Sequence, residues 1–173
     1  MKAKAWKHFC TITRHRHQVI RNCYHAGILW QGLRHDLSKY SPTEFIPGAK
    51  YYQGDRSPNA EEREVNGYSV AWMHHQGRNK HHFEYWQDYH PQTRMKQPVK
   101  MPLRYVKEMF CDRVAASKIY YGKDYTEDMP LAYYEKGKYC GYTASGKQFE
   151  SNFQFGSFNC GLAPFYDNAK LHP

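Results

Sequence analysis

No run of eighteen or more apolar residues occurs in the 173-residue chain, which excludes a membrane-spanning helix. Paired cysteines are missing too: the five, at positions 10, 23, 111, 140 and 160, form no C-x-x-C. An odd, scattered set argues against a disulfide framework and for a reducing, cytoplasmic setting in which the thiols fill the core. The amino terminus, MKAKAWKHFCTITRHRH, is basic but lacks the apolar run and small-residue cleavage site of a secretory signal. Acidic residues are the minority, 16 against 25 lysines and arginines, for a formal charge of +9. That balance suits anionic partners such as phosphorylated small molecules, nucleic acid or acidic lipid, without choosing among them. No internal repeat is found, and the length fits one domain with one core.

What is present is mainly helical periodicity, so the expected fold class is all-α. The first helix is expected from the opening residues to about Ala26, with Gly27 as its stop. Ile12, His15, Val19, Cys23 and Ala26 share one face of it, placing His15 inside; His17 falls outside, among Arg14 and Arg21. A short helical segment from about Leu29 carries His35 and Asp36. SPTE at 41–44 reads as a capping box with Ser41 as N-cap, Pro42 in the first helical position and Glu44 completing the box. SPNAEERE from Ser57 starts another helix, its acidic first turn favoured by the dipole, expected to reach His74-His75 and stop near Gly77. YHPQTRMKQPVKMP, with three prolines, reads as a loop. A last helix runs from Pro102 to about Tyr121, stopped by Gly122. From residue 139 the chain becomes rich in Gly, Ser, Asn and Phe, open to short strands, irregular packing or disorder. The expected organisation is a helical domain over 1–138 and an irregular tail over 139–173.

Two polar residues sit awkwardly in this pattern. On the last helix Tyr105, Met109, Asp112, Ala116 and Ile119 share a largely apolar face, and an isolated buried carboxylate there costs several kcal/mol unless paired. His15 raises the same question on the first helix. His35 and Asp36, about 100° apart if helical, can both reach one ion beside the helix. Two imidazoles and two carboxylates form a shell suited to Mn, Fe, Co, Ni or Zn rather than calcium.

The spaced pattern H…HD…D resembles that of the HD-domain superfamily of metal-dependent phosphohydrolases. GLRHDLSKYSPTEF, AWMHHQGRNKHHFEYW and EMFCDRVAAS together look like a bacterial and phage family of HD-like proteins without a settled activity, over about residues 10 to 135. Members of that family usually finish in a helix-forming segment, whereas this chain ends in its glycine- and aromatic-rich tail. The resemblance implies an all-helical metal-binding domain with His15, His35, Asp36 and Asp112 as ligands. It also implies that histidines between the doublet and the final aspartate hold a second ion. HHQGRNKHH folds two pairs toward each other around Gly77, so one histidine of each pair can face the site; His75 and His81 are taken, as ligands or proton carriers. Lys39 and Arg78 are candidate phosphate-binding cations, with Lys39 counted in the catalytic set. Asn79 reads as a turn residue. Tyr51, Tyr52, Tyr85 and Trp86 are candidates to line a pocket, although the aromatics as a group read as packing rather than a base-stacking platform.

The expected function is hydrolysis of a phosphate ester on a phosphorylated small molecule or nucleotide, with one or two divalent transition-metal ions. A di-iron HD-fold oxygenase, and a basic nucleic-acid-binding module with a structural metal, are the alternatives.

Overall fold

A computed structural model describes residues 2–132. The tail expected over 139–173, and the boundary before it, lie outside the described residues. The chain is all-α: α1 (Lys2–His25), α2 (Leu29–Arg34), α3 (Pro42–Lys50), α4 (Pro58–Asn66), α5 (Val70–Gln76) and α6 (Leu103–Tyr121), with one small hairpin of β1 (Gln87–Tyr89) and β2 (Lys96–Pro98). Among the described residues no helix is long and apolar enough to cross a membrane.

The first helix is as its periodicity requires. Ile12, His15, Val19, Cys23 and Ala26 are all buried, and His17 is exposed. This face packs against α2, α3 and α6. Val19, Cys23 and Ala26 meet Cys111 and Ala115 in the core, with Ile28 against them. Small side chains there let α1 and α6 approach closely, and the Asn22 amide crosses to the carbonyl of Cys111 at 3.0 Å. Gly32 allows a second close crossing: a Cβ there would stand 2.7 Å from Cys23 Cβ. α2 is thereby held against α1 just before the His35-Asp36 doublet.

Four expectations about local structure are corrected. α2 ends at Arg34; His35 is extended, with ψ 129°, and Asp36 is left-handed, with φ 53°. The doublet therefore occupies a reversal leading into the 3-10 turn Leu37–Tyr40, not a helix. Ser41 and Pro42 do open α3, but Ser41 makes no side-chain cap bond. The helix from Ser57 stops at Asn66, where Gly67 takes φ 81°, a common helix stop. Ser69 then starts α5 by accepting from the Trp72 N–H at 3.0 Å. Buried Glu62 accepts from the Ser69 hydroxyl and the Val70 N–H, tying the two helices together. Finally, the proline-rich loop contains β1 and β2, paired antiparallel with Gln87 opposite Pro98 and Tyr89 opposite Lys96.

Candidate metal centre

Asp36 is 1% exposed, and four parts of the fold converge on its carboxylate. α1 brings His15 and α6 brings Asp112. α5 brings His75, and the turn after it brings His81 and His82. The two oxygens of Asp36 face different neighbours. Oδ2 lies 3.2 Å from His35 Nε2 and 3.9 Å from His15 Nε2. Oδ1 lies 3.3 Å from His75 Nε2 and 3.5 Å from His81 Nε2. Asp112 Oδ1 closes the first group, 2.9 Å from His15 Nε2 and 3.3 Å from His35 Nε2.

Two donor sets result, sharing Asp36. His15, His35, Asp36 and Asp112 form one; Asp36, His75, His81 and His82 form the other. Within each set the donor atoms lie within 4.8 Å of one another. The fit to cations is carried by unpaired atoms. Asp36 Oδ1, His81 Nε2 and His82 Nε2 are buried without a hydrogen-bond partner, whereas Asp36 Oδ2 has Lys39 Nζ beside it and His35 Nε2 lies against Asp36 and Asp112. Each such atom ordinarily costs about 1–3 kcal/mol, and buried polar groups are nearly always satisfied. Three of them gathered in one donor set is a pattern that metal ligation would resolve.

The outward nitrogens are satisfied. His35 Nδ1 and His81 Nδ1 lie 3.1 and 3.3 Å from the same oxygen, Glu108 Oε1. His75 Nδ1 is 2.8 Å from Glu44 Oε2, and His74 Nδ1 is 2.7 Å from Glu44 Oε1. A carboxylate at Nδ1 holds the neutral imidazole proton there and leaves the Nε2 lone pair turned inward, as in metal-binding histidines. Asn79 closes the turn, its amide donating to the His75 carbonyl at 2.9 Å and to Ser38 Oγ at 2.8 Å. Arg16 donates to the carbonyls of Leu33 and His35, holding the doublet from behind.

The electrostatics follow from this crowding. Burial works against the Asp36 carboxylate, but His35, Lys39 and His75 outweigh it and hold its pKa well below the usual range. Asp112 is likewise held well below, against burial, by His15 and His35. Burial opposes protonation of His35, yet Asp36, Asp112 and Glu108 hold its pKa well above that of a free imidazole. Burial dominates at His15 and lowers it. Burial, then His81 and His75, holds His82 well below. Lys39 Nζ lies 2.7 Å from Asp36 Oδ2, and despite burial the charges of Asp36 and Asp112 raise its pKa.

The chain belongs to the DUF5662 family. The match to this family, described as one of unknown function, spans residues 4–151 and so includes every member of both donor sets. No curated protein and no solved structure matches the chain significantly.

Of the residues singled out from the sequence, His15, His35, Asp36, Asp112, His75 and His81 come together, and Lys39 touches them. Arg78 does not; it is exposed on the turn after α5. Glu44 does not complete a capping box but binds two imidazoles. Tyr52 bonds Thr11 through its hydroxyl, Tyr51 bonds Asn66, and Trp86 donates to the carbonyl of Lys80 while packing on Tyr105. Tyr85 is exposed, its ring edge-on to Trp86. These four therefore pack or cap rather than line the site. His82 and Glu108 were missed. Adjacency to His81 was a signal for the first; for the second it was the i, i+4 spacing to Asp112, which places both carboxylates on neighbouring turns.

Proposed function

We propose that the chain is a two-ion hydrolase of phosphate esters, with a centre of the HD type. The observation that carries this reading is the Asp36 carboxylate, with one oxygen toward each imidazole set. A carboxylate with one oxygen toward each of two histidine sets would suit two divalent ions of the Mn, Fe, Co, Ni or Zn class, held by His15, His35, Asp36 and Asp112 and by Asp36, His75, His81 and His82. Such a pair would supply a water nucleophile at neutral pH and polarise a phosphoryl group.

The protein's own groups suit that substrate. Asp36, Glu44, Glu108 and Asp112 offset most, but not all, of the charge of two divalent ions and Lys39. The loaded centre therefore attracts an anion. His35, Asp36, His75 and His81 are at most 2% exposed, whereas the Lys39 and Asp112 side chains are 29% and 17% exposed. A phosphate approaches along that edge, where the Lys39 ammonium neutralises its charge. Glu108 and Glu44 hold three inward-facing imidazoles in one tautomer, so a proton moving at the centre passes through His75 or His81 only by way of these carboxylates. A phosphorylated small molecule or nucleotide is the substrate class.

A panel of phosphomonoesters and nucleotides, assayed with each metal and with chelator, tests the proposal. Metal-dependent phosphate release that falls at least a hundredfold in Lys39→Ala, with metal content kept, is expected. Bound iron with a visible oxo band and oxygen uptake, without phosphate release, would instead establish the oxygenase alternative.

A further inference from the structure

No aspartate or glutamate precedes Asp36, while seven lysines and arginines do. The rest of the chain holds 18 of the 25 cations against all 16 acids, so most of the +9 belongs to the first 35 residues. α1 carries this charge without compensation. Its first turn has no acidic residue, and Lys2, Lys4 and Lys7 sit at the end where the helix dipole disfavours cations. Solvated helix faces ordinarily intersperse both signs. Elsewhere on this surface Arg56 is paired with Glu61 and Glu64.

Lys7, Arg14 and Arg21 are exposed and, among the described residues, none of them makes an ion pair. Their heptad spacing sets them along one side of α1, over about 21 Å. Trp6 and Tyr24, on the flank of that line, are 66% and 65% exposed, and Trp30 on α2 is 71% exposed. Trp6 stacks on Phe9 with one face left to solvent. Cations tracking a backbone, with aromatic faces beside them, are the elements of a single-strand-binding surface. The apolar face of α1 is spent on the core, which disfavours the alternative of an amphipathic helix lying in a lipid surface.

We infer that the outer face of α1 binds single-stranded nucleic acid, with Lys7, Arg14 and Arg21 on phosphates and Trp6 and Tyr24 against bases. This surface is independent of the metal-centre reading and stands or falls separately from it.

Fluorescence anisotropy of the full chain with a short labelled oligothymidylate, over a salt series, tests the inference. Binding that weakens steeply with salt is expected. K7Q/R14Q/R21Q should weaken it about tenfold or more and reduce the salt slope by about one per residue. Trp6→Ala with Tyr24→Ala should weaken it with the slope unchanged. Circular dichroism and thermal melting of the same preparations establish that the fold survives; if the triple variant misfolds, the single K7Q, R14Q and R21Q substitutions replace it, and if the aromatic variant does, the single Trp6→Ala and Tyr24→Ala substitutions replace that one. Absence of oligonucleotide binding, or wild-type affinity in the folded triple variant, would overturn the inference. Equal affinity for a duplex, or binding only to phosphatidylserine vesicles, would overturn it too.

Discussion

Asp36 stands in the left-handed region, where few side chains but asparagine and aspartate are at ease. That backbone lets one carboxylate point between two imidazole sets, and it makes the choice of test substitution matter. Asp36→Asn keeps size and backbone tolerance but removes the charge, so it should fold and fail to hold the metal that the proposed centre would bind. Asp36→Ala adds backbone strain of about 1–2 kcal/mol, so it should also melt lower than the asparagine variant. Metal content and thermal melts on both check this, and a metal-replete Asp36→Asn would be inconsistent with a bridging role. The contrast of His15 with His17 is simpler. Only His15→Ala should lose metal, because His17 points to solvent. Protons should follow the metal. Without an ion, the surrounding carboxylates keep His35 protonated, a stabilisation present below about pH 6.5 and lost as pH rises through its raised folded pKa. His15 and His82, held neutral, act oppositely: their contribution is present above about pH 6.5 and is lost as pH falls. Ion binding must displace the His35 proton. Calorimetric titration with metal near pH 7, in two buffers of different ionisation enthalpy, should show proton release and weaker affinity as pH falls. Heat independent of buffer would contradict it.

The helices explain which parts of the site could be read beforehand. α1 was legible because Ile12, Val19, Cys23 and Ala26 form a regular apolar stripe along its buried face, although His8, His15 and Asn22 are buried on it too. α6 was less so. Its buried residues include Glu108, Cys111, Val114, Ala115 and Ser117, a face rotated from the one through Tyr105, Ala116 and Ile119. Hydrophobic periodicity does not register a face that contains a carboxylate bound to two imidazoles. Asn66-Gly67 ended a helix whose polarity otherwise ran on smoothly, and the left-handed Asp36 had no local marker. The pair of α1 and α2 offers a test away from the ligands. Gly32→Ala would push a methyl into Cys23 and the Ile20 backbone, tilting α2 and the doublet three residues on. A loss of about 1–3 kcal/mol in denaturant unfolding is expected, with weaker metal binding; unchanged affinity would show that α2 does not position the doublet.

Across the whole molecule, candidate ligands separated by nearly a hundred positions in the chain converge because α1 and α6 pack through small residues while α3, packed on α1, carries α5 and the turn after it. Asp36 Oδ1, His81 Nε2 and His82 Nε2, buried without partners, then burden the metal-free fold. The measurement that bears most directly on this is the metal content of folded protein purified without added metal, by elemental analysis, for the wild type and Asp36→Asn side by side. About two divalent transition-metal ions per wild-type chain, and few or none in a folded Asp36→Asn, is the expected result. A well-folded wild type that carries no stoichiometric metal and takes up none from Mn, Fe, Co, Ni or Zn would contradict it.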